Sequence, residues 1–116
     1  MYPDYDELFW DEESCSIGDT ETIYLNNDKE VKINIQGLSE WLSKYVDEIL
    51  IPCETNKISI EDLNKTYDWK SFLKEGIRLA NEVRKILPEN IELHFKTPIE
   101  YEQNEFQNDI RIIFHY

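Results

Sequence analysis

The run from Tyr67 to Leu87 constrains the fold of this chain more than any other stretch. Within it Trp69, Phe72, Leu73, Gly76, Ile77, Ala80, Val83 and Leu87 recur at spacings of three and four. That period lays one apolar stripe along a helix. Asp68 suits the N-cap, where unpaired amides and the positive end of the dipole favour a carboxylate. Arg84 and Lys85 suit the last turn, and Pro88 cannot continue the helix. Gly76 costs about 1 kcal/mol relative to alanine in a helix interior. Its place on the stripe therefore predicts that another backbone or a large ring comes close there.

What covers that stripe is legible in outline. Thr22 to Leu25 and Glu30 to Ile35 alternate apolar with polar residues, and Asn26, Asn27 and Asp28 tolerate turn geometry, so the two segments predict a hairpin. Leu8 to Asp11 is a further candidate, as a short edge strand. After Gly37, Ser39 can cap a helix over Glu40–Leu50 that puts Trp41, Leu42, Tyr45, Val46, Ile49 and Leu50 on one face, with Pro52 expected to end it. Residues 51 to 66 read as a connector, in which Ser59 and Asp62 bracket a short helical turn. Ile91, Leu93 and Phe95 alternate with Glu92, His94 and Lys96. Ile110, Ile112, Phe114 and Tyr116 form a last alternating strand. The expected class is α+β: one domain over residues 1–116, an antiparallel sheet of four to five strands with two helices packed on one face.

Charge narrows the partners. The chain has 116 residues, 25 acidic against 12 basic, and a formal net charge of -13. Such acidity often accompanies disorder, but a hydrophobic fraction of 41% with three Trp, seven Tyr and five Phe supports a packed domain. Residues 1–30 hold most of the imbalance: ten acids face Lys29 alone, a net of -9. Phosphate-rich nucleic acid and anionic membrane are both repelled, and a basic protein is the natural complement. Tyr5 and Trp10 among Asp6, Glu7, Asp11, Glu12 and Glu13 have the make-up of a docking surface, with aromatic anchors in a polar rim. Asp19 and Glu21 add steering charge. The acidic start lacks the apolar run of a signal peptide, and no window approaches a membrane span. A cytoplasmic protein with Cys15 and Cys53 reduced is expected, one disulfide being the alternative.

Catalytic signals are sparse. Gly18, Gly37 and Gly76 stand in no phosphate-cradling loop, and no spacing fits a metal or cofactor site. Asp11-Glu12-Glu13 lacks the alternating oxygen ligands and the glycine of a calcium loop. No local sequence poises either cysteine as a thiolate beside a histidine. His94 and His115, on neighbouring terminal strands, would be an acid–base pair for a phosphodiester, with only Lys96 and Arg111 to hold the phosphate. Lys70, Lys74 and Arg78 form a narrow basic stripe that Glu82 interrupts, as on an ordinary wet helix face. Neither a catalytic residue nor a cofactor is expected.

Asp68-Trp69, Phe72, Gly76, Leu79-Ala80, Arg84, Leu87-Pro88 and the strand ending in Phe95 together resemble small acidic bacterial proteins of polymorphic toxin and contact-dependent growth inhibition systems. Leu8-Phe9-Trp10-Asp11 is similar to their N-terminal tryptophan–acid segment. The resemblance covers residues 65 to 97 and a few near the start. It implies an immunity protein, a cytoplasmic non-enzymatic inhibitor that binds one cognate toxin, often a nuclease, as monomer or 1:1 complex. An acidic nucleic-acid mimic directed at a DNA-binding enzyme is the alternative within the same physics, and a His94/His115 phosphodiesterase the alternative outside it.

Overall fold

The computed structural model describes residues 1, 3, 4, 7–10, 16–25, 29–89, 91 and 93–101, together with the backbone of 111–114. Its elements run β1 (Thr22–Tyr24), β2 (Glu30–Lys32), α1 (Leu38–Tyr45), a π-helical turn (Val46–Leu50), α2 (Ile51–Glu54), α3 (Ile60–Thr66), α4 (Trp69–Ile86), β3 (Leu93–Lys96) and β4 (Arg111–Phe114).

The long helix is where the apolar period places it. The Asp68 carboxylate accepts from the Ser71 amide at 3.2 Å, and the first turn opens at Trp69. Trp69, Phe72, Gly76, Leu79, Ala80 and Val83 are buried along α4. The expected close approach at Gly76 is made by two rings. A Cβ there would lie 2.5 Å from Trp41 Cζ2 and 2.9 Å from Phe95 Cζ. Trp41 stacks on Phe72 with centroids 4.7 Å apart and donates its indole N–H to the Phe72 carbonyl at 3.0 Å. A bare glycine thus lets α1 and β3 press their aromatics against α4. Burying each such side chain contributes roughly 1.5–3 kcal/mol.

The second helix departs from expectation at both ends. Gly37, at φ 97°, is the residue before its first turn, and no side chain caps it, so Ser39 is not the cap. Pro52 does not end it either. The Ile51 amide reaches back five residues to the Val46 carbonyl, closing the π turn. Pro52 then falls at the start of α2, where its missing N–H is not called on. The helix finally stops at Asn56, whose φ of 59° is a left-handed conformation that asparagine tolerates. In the expected connector, the Ser59 hydroxyl accepts from the Asp62 amide at 3.1 Å and opens a helix of seven residues, α3.

The expected single sheet of four to five strands with two helices on one face is not formed. Mixed helix and strand is correct, but the described residues hold two separate antiparallel ladders, β1–β2 and β3–β4. The hairpin pairs Ile23 with Val31 and ends at Lys32 rather than Ile35. The terminal ladder pairs Leu93 with Phe114 and Phe95 with Ile112. Occupied edges keep them apart. Opposite β4, β3 is met by Met1, whose amino group donates to the His94 carbonyl and whose carbonyl accepts from the Lys96 amide at 3.0 Å. Opposite β2, β1 is met by residues 17 and 18, through Tyr24 N to Ile17 O at 2.7 Å and the Gly18–Ile23 bridge. Leu8 to Asp11 falls short of a strand: it contributes the Trp10–Ser16 bridge and an Ile17-to-Phe9 hydrogen bond, and Asp11 lies outside the described residues.

Candidate partner-binding surface

The acidic segment is pinned to the core by buried residues, Met1 and Pro3 among them. Leu8 and Phe9 are buried, while Glu7 and Trp10 on either side of them are half-buried. Asp4 and Glu7 exchange backbone hydrogen bonds at 3.1 and 3.2 Å. Of the residues expected to bind a partner, Tyr5, Asp6, Asp11, Glu12 and Glu13 lie outside the described residues. Asp19 and Glu21 are exposed. The Asp19 Oδ1, expected only to steer a partner, accepts from the Glu21 and Thr22 amides, both at 2.8 Å. Those backbone bonds hold its carboxyl below the usual range and shape the turn into β1.

Three helical bases pair with acids on their own helix. Lys65 pairs with Glu61 at 3.3 Å, Arg78 with Glu75 at 2.6 Å and Lys85 with Glu82 at 3.1 Å. Arg78 also donates to the Gln36 carbonyl, so the basic stripe is in part a helix–loop tie. Exposed pairs like these contribute at most about 1 kcal/mol each. Arg84, expected as a cation of the last turn, lies there but is buried, and it donates to the Pro88 carbonyl at 3.0 Å.

Sequence reasoning missed a buried polar cluster. Glu100, read as part of a polar connection, is 5% exposed, and both its carboxylate oxygens lie within 2.9 Å of the Tyr45 hydroxyl. Burial pushes the Glu100 carboxyl above its ordinary range; the Tyr45 bond offsets this in part, and the charges of Asp4 and Glu54 add to the rise. Burial and the same bond raise the Tyr45 phenol. Asn64 Nδ2 clasps the Glu100 carbonyl at 2.8 Å and Tyr101 packs on Trp69 at 5.0 Å, so the turn is held on three elements. One signal pointed here: a tyrosine on an apolar stripe needs an acceptor for its hydroxyl.

His94 is half-buried and sits opposite Ile113 in the ladder, and His115 lies outside the described residues. Cys53 is a free, half-buried thiol that burial pushes up, away from thiolate; Cys15 lies outside the described residues. No cluster of His, Cys, Asp and Glu fit for a metal occurs among the described residues. A shallow open depression of about 190 Å³ runs between Thr20, Glu21, Asn34, Gly37 and Glu40. It is small against ligand sites of roughly 300 Å³ and more. No helix among the described residues is long and apolar enough to cross a membrane. Comparison with known proteins finds no match to this chain among family models, curated proteins or solved structures.

Proposed function

We propose that this protein is an immunity-type inhibitor, acting in the cytoplasm, that binds and neutralises a basic toxin domain of nuclease class. The observation that carries this reading is the placement of charge. Residues 1–30 hold a net of -9 of the total -13, and buried Leu8 and Phe9 fix that segment to the body. A nuclease attracts phosphate with Lys and Arg, so a tethered anionic surface competes for the same groups and excludes the substrate. Opposite charges raise the association rate to as much as ~10⁸ M⁻¹s⁻¹ at low salt, and a standard interface of about 1,600 Å² suffices for tight binding. No side chain of this protein has to do chemistry.

The test uses the purified product of the gene immediately upstream. Wild-type protein is expected to inhibit it with an association rate that falls steeply with salt. A variant carrying Asp6→Asn, Glu7→Gln, Asp11→Asn, Glu12→Gln and Glu13→Gln is expected to associate at least about tenfold more slowly at low salt. Unchanged inhibition with unchanged salt sensitivity would refute the assignment of this surface.

A further inference from the structure

Among the described residues, the most exposed large hydrophobic side chain stands beside the buried carboxylate. Ile99 is 74% exposed, one residue before Glu100, although the turn that carries it is firmly held. Asn64 Nδ2 bonds the Ile60 carbonyl at 2.9 Å as well as the Glu100 carbonyl at 2.8 Å, so the start of α3 and the turn are fixed side by side. Ile60 is itself 42% exposed. Two exposed isoleucines thus belong to backbone segments that Asn64 ties together, and such bracing lowers the ordering cost of binding.

The ground around them is anionic. Asp4 and Glu54 both act electrostatically on Tyr45 and Glu100, so carboxylates of the N-terminal segment and of α2 lie within electrostatic reach of this turn. Among the described residues no Lys, Arg or His forms an ion pair with Glu100, Asp4 or Glu54. The nearby Lys65 is taken by Glu61. Buried carboxylates are ordinarily matched by a cation. Asp4 also joins this ground to Glu7 of the acidic segment through their paired backbone hydrogen bonds.

We propose that the 98–101 turn and the start of α3 form a docking surface for a basic protein segment, whose apolar side chains cover Ile99 and Ile60 while an Arg or Lys seats between Asp4 and Glu54. The inference rests on the inhibitor reading and deepens it: the turn adds a braced apolar anchor beside the acidic segment. Anchors of this kind carry most of an interface's energy, and the surrounding charges set rate and register.

Two probes test it: the upstream gene product, and a synthetic peptide of alternating leucine and arginine. The variants are Ile99→Ser, Ile60→Ser with Ile99→Ser, and Glu54→Gln. Both isoleucines are exposed, so the serine variants are expected to melt with the wild type. They are expected to bind each probe at least about tenfold more weakly, mainly through faster dissociation. Glu54→Gln is expected to lessen the salt dependence. If the gene product binds the double serine variant as tightly as wild type, the docking surface is overturned and the inhibitor reading stands. If only the peptide binds, with the expected loss in the variants, the surface stands and the inhibitor reading falls. Binding of neither probe to the wild type overturns both.

Discussion

Replacing Gly76 with alanine sets helix propensity against packing at one position. In an exposed helix interior the change stabilises by about 1 kcal/mol. Here the new methyl would sit 2.5 Å from Trp41 Cζ2, with Phe95 at 2.9 and 3.0 Å. Neither ring can give cheaply. Trp41 is stacked on Phe72 and tied to its carbonyl at 3.0 Å, and Phe95 is buried in β3. Overpacking a core typically costs about 1–3 kcal/mol, and moving the indole also weakens a hydrogen bond worth about 1 kcal/mol. The expected net effect of Gly76→Ala is a destabilisation of about 1–3 kcal/mol. For a chain of this length about 1 kcal/mol corresponds to roughly 4 °C in Tm, so the melt should fall by about 4–12 °C. Thermal unfolding followed by circular dichroism, with urea midpoints alongside, measures it. In a Trp41→Phe background the alanine penalty should shrink, because the indole atoms nearest the new methyl are gone. A rise of about 4 °C in the wild-type background, the value propensity alone gives, would refute the argument.

Two further predictions concern the buried cluster. Tyr45→Phe leaves the Glu100 carboxylate buried without its hydroxyl donor and should cost about 1.5–3 kcal/mol by urea unfolding at neutral pH; a loss within error would show that the bond is not what holds the turn. Because the Glu100 carboxyl is raised in the folded state, its contribution to stability is fully present below the ordinary glutamate range. That contribution is lost as pH rises through the folded value. The urea midpoint of the wild type relative to Glu100→Gln should therefore decline with pH above the ordinary glutamate range, and a flat difference would remove the proposed desolvation. Asp19, Asp68 and Glu75, whose carboxyls are held low, act in the opposite direction and cancel in that comparison.

Local signals resolved local structure. The three- and four-residue period over 69–87, the Asp68 and Ser59 caps and the alternation at 91–96 became helices and a strand, because each is decided by near neighbours. Even a long-range feature was legible at Gly76, since a glycine on an apolar helical stripe has to be explained by something that packs on it. Of the candidate surface, the sequence showed its charge and aromatic content but not its extent.

What the sequence determined by itself is therefore the long amphipathic helix, the hairpin and the concentration of acid in the first thirty residues. Only the tertiary structure decided how the strands divide. Met1 and residues 17 and 18 occupy edges that a continuous sheet would have used. Only the tertiary structure, too, carried the helix through Pro52 by way of a π turn and buried Glu100 against a tyrosine fifty-five residues away. Periodicity records which face of an element is apolar, whereas edge occupancy and the pairing of a buried carboxylate depend on groups brought together only when those faces meet.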